Sequence, residues 1–259
     1  MIRKAVILAA GVGSRMGGLT ADTPKCLIDL GGTNSLDYIL KCLQDCEIDE
    51  TLIIVGHLRD KIKSYVGARG YKTAVKLVEN DFYNYHGCEY SMALSAPYLK
   101  NADSAIIVEA DLLMPAQYFA NVINSPHENC VLLRKCELNP ARSVAACGSK
   151  GTVRRFAYDE KHIDVFKYIK PGEDVIGESM QMWKFGGAAL KFLIEMFEDY
   201  LYNIIDAGPD TRNGLFSINR AAAEFPLSPV IMENAEWINL NTLEDVAKGR
   251  NASWIKKYL

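Results

Sequence analysis

The chain has 259 residues, of which 49% are hydrophobic and 24% charged, so it can bury a sizeable core as one large α/β domain or two small ones. Its formal net charge of -3 argues against a general nucleic-acid binder, and no apolar run is long enough to span a bilayer. Seven cysteines, an odd number, with no secretory leader pattern, predict reduced thiols and a cytoplasmic protein.

The first thirty residues carry a phosphate-binding pattern. The apolar run over residues 4–10 predicts a buried strand, and Gly11 and Gly13 follow it in a tight turn. Because glycine has no Cβ, the backbone N–H groups of this turn can approach an anion closely. A helix predicted to begin near Ser14 would add the positive potential of its N-terminus.

Two cations complete this pattern. Arg15 offers a planar donor fork and Lys25, which follows a stiff Thr23-Pro24 step, offers a compact charge, and both suit phosphate. A Walker A motif would need lysine where Leu19 stands, and a dinucleotide fingerprint would need glycine or alanine at Met16. Neither motif fits, and an ordinary strand-to-helix turn with two surface cations stays open as the alternative.

The run over residues 8–16, followed by Thr23-Pro24-Lys25, resembles the signature of the nucleotidyltransferase family. That family includes sugar-1-phosphate nucleotidylyltransferases and phosphocholine cytidylyltransferases. The resemblance implies a single-domain, Rossmann-like α/β fold over residues 1–259, with a mostly parallel mixed sheet flanked by helices. It implies a nucleotide-binding part (1–134), an acceptor-binding part (135–235) and a closing part (236–259) with a metal motif and a C-terminal helix.

The same resemblance implies the contacts of the nucleotide. Arg15 and the glycine turn would hold the β- and γ-phosphates, and Lys25 would hold the α-phosphate and the acceptor, which makes both cations catalytic. The full set of implied nucleotide-binding residues is Leu8, Ala9, Ala10, Gly11, Gly13, Ser14, Arg15, Lys25, Ser91 and Glu109.

The next part of the chain alternates between strands and helices, which predicts a parallel sheet with right-handed crossovers. Apolar residues at helical spacing predict a helix over 35–45, capped by Asn34 or Ser35. A second helix is expected to end near Val66. The predicted strands cover residues 51–55, 74–78, 104–109 and 130–134.

Two loops after these strands are expected to reach the nucleotide. Ser91 lies where the resembling family starts a helix, so it either contacts the base or a phosphate or simply caps that helix. Asp111 follows a buried strand at the sheet edge where ligands collect. It matches the family's aspartate for the catalytic Mg²⁺, a cation that prefers oxygen ligands, and Glu109 lies on the same side of the strand.

The second half of the chain carries the candidate acceptor-binding residues. The strand predicted over residues 151–156 precedes Lys161, which matches a family lysine that meets the acceptor's phosphate. Glu178 would contact the acceptor headgroup, and Arg134 is either a phosphate ligand or a solvated surface charge. Nearby aromatic residues could bind a quaternary ammonium or could equally be core: Tyr158, Tyr168 and Trp183.

The stretch over residues 236–245 resembles the family's closing motif. Asn241 stands where the second metal ligand is usually an aspartate, and its amide oxygen could still bind Mg²⁺, while Asn239 replaces another common acid. The loss of negative charge would weaken the metal site, and both asparagines could instead be loop-forming residues. Thr242 is predicted to cap the final helix in a capping box with Asp245.

The implied reaction is attack by an acceptor phosphate or phosphonate on the α-phosphorus of an NTP, with release of pyrophosphate. CTP is favoured, with phosphocholine, a phosphoamino compound or an aminoalkyl phosphonate as acceptor. A sugar-1-phosphate nucleotidylyltransferase using UTP, dTTP or GTP, and a non-catalytic nucleotide-binding regulator, remain alternatives. No nucleic-acid or membrane partner is expected, and a homodimer is left open.

Overall fold

The computed structural model describes residues 1–203 and 214–256. Residues 204–213 of the expected acceptor-binding part and residues 257–259 of the closing part lie outside the described residues. Strands and helices alternate along the described part of the chain, in a mixed α/β arrangement.

One large sheet runs through the described part of the chain. Its strands are β1 (Arg3–Ala9), β2 (Glu50–Val55), β3 (Ala74–Glu79), β4 (Ser104–Glu109), β6 (Cys130–Lys135), β7 (Ala145–Ser149), β8 (Thr152–Ala157), β9 (Asp174–Gly186) and β10 (Ser228–Glu233). The strand order is β10-β6-β9-β4-β1-β2-β3, with β7 and β8 attached beside β9. A two-stranded ribbon joins β5 (Leu112–Leu113) to β11 (Ile238–Asn239).

The pairing of β1 with β2 and β4, of β2 with β3 and of β6 with β10 is parallel. The strand β9 runs antiparallel between β4 and β6, and β7 and β8 are antiparallel as well. The expected mostly parallel mixed sheet is therefore confirmed, although the sequence did not predict β9.

Helices cover both faces of the sheet. They are α1 (Ser35–Asp45), α2 (Arg59–Gly67), α3 (Gly87–Ala93), α4 (Ala96–Leu99), α5 (Ala116–Ile123), α6 (Gly187–Tyr202), α7 (Phe216–Glu224) and α8 (Leu243–Asn251). Alternate residues of β1 divide the core, because Ile7 packs with α1 and α5 on one face and Val6 with α6 and α7 on the other. This alternation explains why the central strands read as continuous apolar runs.

Two local predictions were wrong. Residues Ser14–Thr20 form 3-10 turns instead of an α-helix, and Gly17, at φ 58° and ψ -137°, interrupts them. The helix-dipole argument for this loop therefore fails. Ser91 is not an N-cap either, because α3 begins at Gly87 and Ser91 lies inside it.

Within the described ranges, no helix is long and apolar enough to cross a membrane.

Candidate active site

The loop after β1, residues 10–13, is called the glycine loop here and is hydrogen-bonded to the loop after β2. The His57 N–H donates to the Ala10 carbonyl at 3.0 Å, and a Cβ on Gly56 would lie 2.8 Å from that same oxygen. Gly13 adopts φ +69°, and a Cβ there would lie 3.3 Å from Lys25 Cβ. Glycine at position 13 thus provides both the left-handed backbone and the close approach of the loop to Lys25.

Three residues far apart in sequence, Lys25, Asp111 and Asn241, contact one another beneath this loop and form the floor of the site. The Lys25 Nζ donates to Asn241 Oδ1 at 2.9 Å and forms a short ion pair with Asp111 Oδ2. The side chains of Lys25 and Asp111 are only 13% and 17% exposed, so the pair is partly shielded from water. One cation and two oxygen-bearing side chains therefore share a single point at the carboxyl end of β4.

Backbone pairing places Asn241 beside Asp111. The ribbon of β5 with β11 aligns Asn239 with Leu112, and the Leu240 N–H donates to the Asp111 carbonyl at 3.0 Å. The predicted capping box of α8 is confirmed. Asp245 Oδ2 accepts from the N–H groups of both Thr242 and Asn241, at 2.8 and 3.0 Å.

A cavity of about 310 Å3 opens over this floor. Every residue that the sequence assigned to the nucleotide or the metal lines it: Leu8, Ala9, Ala10, Gly11, Gly13, Ser14, Arg15, Lys25, Ser91, Glu109, Asp111 and Asn241. The structure thus brings these residues together, while their individual roles stay predictions. Arg15 is exposed at the cavity mouth, and within the described residues no carboxylate pairs with its guanidinium.

Glu109 and Asp111 lie close together in the cavity wall. Burial, and the negative charge of Asp111, raise the pKa of Glu109 to about 8. The raised pKa favours the protonated form of Glu109 and so reduces the negative charge beside Asp111.

The oxygen donors at this floor fit a hard divalent cation. Asp111 Oδ1 is buried and lacks a hydrogen-bond partner in the described part of the chain. Asn241 Oδ1 accepts from the same Lys25 Nζ that pairs with the other carboxylate oxygen of Asp111. No group of three or more histidine, cysteine, aspartate or glutamate residues in residues 1–203 and 214–256 could form a metal cage. Magnesium commonly uses one or two protein oxygens and takes its other ligands from phosphates and water, which matches this sparse set.

The candidate acceptor residues Arg134 and Glu178 contact each other. Arg134 Nε donates to Glu178 Oε2 at 2.5 Å, and Ser143 Oγ donates to Glu178 Oε1 at 2.8 Å. The Cys136 thiol also points to Glu178 Oε2, at 3.1 Å. Glu178 is buried and already holds donors on both oxygens, so its carboxylate is neutralised inside the protein.

Lys161 does not join the other site residues. Asp159 accepts hydrogen bonds from the backbone N–H groups of Lys161, Ile163 and Asp164, at 2.9, 2.8 and 2.7 Å. These bonds lower the pKa of Asp159 to about 2 and fix a tight loop. The Lys161 side chain is exposed and lies outside the cavity walls, whereas His162 lines the larger cavity.

The larger cavity has a volume of about 1030 Å3 and shares Arg15, Glu109, Asp111 and Asn241 with the smaller one. Its wall contains residues that the sequence did not assign to the acceptor, among them Asn139, Arg142, His162, Gln181 and Trp237. Except for Trp237, which lies in the stretch that resembles the closing motif, these residues lie in segments that are distant in sequence and carry no recognised motif. The Asn139 loop and the bulge in β9 become recognisable only once the strands are paired.

Comparisons with known proteins bear on the family and the fold of this chain. A family model for the MobA-like NTP transferase domain matches residues 5–164, a segment that includes the glycine loop, Lys25 and Asp111. The choline-phosphate cytidylyltransferase of Streptococcus pneumoniae is 33% identical over 118 residues, 46% of this chain and 48% of that enzyme. The match therefore spans about half the length of that relative.

A longer match is to the CTP:phosphoglutamine cytidylyltransferase of Campylobacter jejuni, at 24% identity over 208 residues, 77% of this chain and 81% of that protein. Among solved structures, the CTP:phosphocholine cytidylyltransferase from Streptococcus pneumoniae has a TM-score of 0.72 at 18% identity, and the match covers 97% of this chain and 99% of that one. At this identity the likeness establishes the fold.

Proposed function

Because the chain belongs to the MobA-like NTP transferase domain family, we propose that it is a nucleotidyltransferase that transfers CMP from CTP to a small phosphate or phosphonate acceptor. The observation that carries this proposal is the contact of Lys25 with Asp111 and Asn241 under a glycine loop. Two relatives that bear cytidylyltransferase names support the choice of CTP.

In the proposed reaction an oxygen of the acceptor's phosphate attacks the α-phosphorus of CTP. The bond from that phosphorus to the bridging oxygen of the β-phosphate breaks, and pyrophosphate leaves with the electron pair. The N–H groups of the glycine loop and the Arg15 guanidinium bind the β- and γ-phosphates. Lys25 binds the α-phosphate and brings the acceptor's phosphate next to it. The protein contributes position and charge, and no covalent enzyme intermediate forms.

Asp111 and Asn241 would hold Mg²⁺, which when bound supplies charge neutralisation at the α-phosphate. The buried, unpartnered Asp111 Oδ1 supports this assignment. Asn241 contributes a neutral oxygen, so we expect weaker magnesium binding than two carboxylates would give. The raised pKa of Glu109 would reduce the negative charge near the floor as the triphosphate enters.

A cytoplasmic location is part of the proposal. All seven cysteines are free thiols and five of them are buried. Unpaired thiols of this kind are typical of a reducing compartment.

The test is pyrophosphate release with Mg²⁺ for CTP, UTP, dTTP and GTP, each combined with phosphocholine, phosphorylated amino compounds, aminoalkyl phosphonates and hexose 1-phosphates. Release with CTP and a small acceptor is the expected result. Release with UTP, dTTP or GTP and a hexose phosphate would instead identify the chain as a sugar-1-phosphate nucleotidylyltransferase. Binding of NTP with no release for any pair would favour a regulator that has lost catalysis.

A further inference from the structure

The strand β9 contains a bulge that turns one amide side chain into the larger cavity. Between the pairs Val131↔Trp183 and Leu133↔Ser179, β9 has two residues more than β6. The extra length centres on Gln181, which has φ 56°, a left-handed conformation that is unfavourable for a residue with a Cβ. Bulges beside active sites commonly redirect a side chain, and strained backbone persists where neighbouring packing enforces it.

Buried neighbours hold this bulge in place. Met180 and Met182, on either side of Gln181, are fully buried in the core. The Gln181 N–H is also held by Ser179 Oγ at 3.1 Å. The conformation of Gln181 is therefore set by the core, and its side chain is left to line the cavity.

The Gln181 amide pairs with the amide of Asn239. Asn239 Nδ2 donates to Gln181 Oε1 at 3.2 Å, and both residues line the same cavity as Asp111 and Asn241. Asn239 Oδ1 is buried and, within the described ranges, has no hydrogen-bond donor. The pair therefore offers one unpaired acceptor, at Asn239 Oδ1, and N–H donors at Gln181 Nε2 for which no described residue provides an acceptor.

Three groups of the cavity wall that could bind a quaternary ammonium are already engaged. The Arg134 guanidinium lies 5.4 Å from the centre of the Trp237 ring, where it would repel a second cation. Trp183 is 2% exposed and packs edge-on against Phe156. The Glu178 carboxylate is neutralised by Arg134, as described above. These three groups therefore provide little for a trimethylammonium group, and the Tyr158 ring, which also lines the cavity, packs edge-on against His162.

We propose that the Gln181–Asn239 amide pair selects an acceptor whose far end both donates and accepts hydrogen bonds, as a carboxamide or hydroxyl does. This inference rests on the proposed function. Such a group accepts from Gln181 Nε2 and donates to Asn239 Oδ1, so both unpaired groups are satisfied. An ammonium satisfies only the acceptor, a carboxylate satisfies only the donor, and a quaternary ammonium satisfies neither.

The decisive experiment uses phosphate monoesters that share a two-carbon chain and differ at its end. The panel is 2-hydroxyethyl phosphate, phosphoglycolamide, phosphoethanolamine, phosphocholine, phosphoglycolate and ethyl phosphate. We expect kcat/KM with CTP to be highest for the hydroxyl and carboxamide members. Phosphocholine should be lower by about 10-fold or more, since a buried amide is then left unpaired. Equal or better use of phosphocholine would overturn the proposal.

Two variants separate recognition from folding. Asn239→Asp converts the unpaired acceptor into an anion, and we expect it to shift the preference toward phosphoethanolamine by about 10-fold. Gln181→Gly removes the amide at a position where glycine suits the backbone, and it should reduce the differences within the panel. Gln117→Glu, an amide-to-acid change on an exposed part of α5, is the matched control and should leave the order unchanged. An unchanged order in Asn239→Asp would refute the assignment.

A binding measurement keeps this test independent of turnover. Calorimetry gives the affinity of each panel member for the chain saturated with a non-hydrolysable CTP analogue. If no member releases pyrophosphate but the affinities follow the expected order, the proposed function fails and the amide-pair inference stands. If pyrophosphate is released but the order favours phosphocholine, or if no member binds while the CTP analogue does, the inference fails.

Discussion

At the scale of single residues, Lys25 connects the three segments of the site. Its ammonium contacts side chains from the loop after β4 and from the stretch before α8. A lysine so placed holds Asp111 and Asn241 at a short separation and can also bind a phosphate as a point charge. The backbone around it is fixed by the Pro24 step and by the close approach of Gly13.

We expect Lys25→Ala to lower kcat/KM for pyrophosphate release by about 100- to 1000-fold, the range seen when one preorganised charge-stabilising donor is removed. The fold should remain intact, as judged by circular dichroism. Lys100→Ala is the matched control, because Lys100 pairs with Glu198 at an exposed surface position and should leave activity unchanged. Near-normal kcat in Lys25→Ala would contradict the assigned role.

The lining of the smaller cavity was predictable because many of its residues lie in one short segment with a recognisable order. Gly11, Gly13, Arg15 and Lys25 fall within fifteen positions of one another, and the strand before them fixes their edge of the sheet. The wall of the larger cavity was not predictable in the same way. Gln181 reaches the cavity only because two residues are inserted into β9 relative to β6, and no local pattern marks that insertion.

At the scale of elements, the capping box of α8 also positions the site. Asp245 accepts from the N–H groups of Asn241 and Thr242, and Thr242 Oγ1 accepts from the Asp245 N–H. The start of the helix and the orientation of Asn241 therefore depend on the same carboxylate.

We expect Thr242→Ala to reduce the free energy of unfolding by about 1 kcal/mol, the usual effect of losing an N-cap. It should also raise the magnesium concentration needed for half-maximal activity, because Asn241 loses part of its support. Denaturant unfolding and a magnesium titration measure the two effects. Thr242→Ser retains the cap and should match the original chain in both measurements. Equal losses of stability and of magnesium sensitivity in Thr242→Ser and Thr242→Ala would argue against a role of the cap in positioning Asn241.

A buried glutamate joins two helices. Glu89 on α3 accepts from the Ser217 N–H, in the first turn of α7, at 3.2 Å. Burial raises the pKa of Glu89 from 4.5 to about 7, although the hydrogen bonds from α7 oppose that rise. Between pH 4.5 and about pH 7, Glu89 holds a proton in the folded chain and has released it in the unfolded chain. The stability that this proton provides is therefore present in full below pH 4.5 and is lost as the pH rises to about 7.

We expect Glu89→Gln, which keeps an acceptor for the Ser217 N–H, to remove this part of the pH dependence. The free energy of unfolding of the original chain should fall relative to that of the variant between pH 5 and 7, by on the order of 3 kcal/mol, and stay parallel to it above pH 8. Urea unfolding across this range gives both curves. Parallel curves throughout would show that Glu89 does not titrate in this window.

The elements themselves show where sequence reasoning succeeds. α1 was predicted with its bounds and with Asn34 as one of two N-cap candidates, because its apolar spacing and its capping residue agree. The segment after Gly13 was mispredicted because Gly17, at φ 58°, breaks a sequence that otherwise permits a helix. β9 was missed because its thirteen residues mix polar and apolar positions around a bulge.

At the scale of the whole molecule, ligand binding should couple to stability through the contacts between distant segments. A nucleotide in the smaller cavity would touch the glycine loop, the start of α3 and the loop after β4 together. Anything that binds the folded chain and not the unfolded one raises the apparent stability by mass action.

We expect CTP with Mg²⁺, at about 100 times its dissociation constant, to stabilise the chain by about 2.7 kcal/mol and to raise Tm by roughly 5–10 °C. Removal of the metal with EDTA should cancel most of this shift, because the triphosphate then faces Asp111 without a bridging cation. Differential scanning fluorimetry measures both conditions. Asp111→Ala should lose the magnesium-dependent part of the shift, and an EDTA-insensitive shift would exclude the assigned metal role.

The position of β9 has a consequence for how the chain is made. Among the strands that the structure describes, β9, which ends at residue 186, joins β4 to β6, which end at residues 109 and 135. While the polypeptide emerges from the ribosome, the edges of both earlier strands stay unpaired until more than fifty further residues have been synthesised. The sheet therefore closes late in translation, and the nascent chain passes through a stage in which apolar strand edges are open to association with other chains.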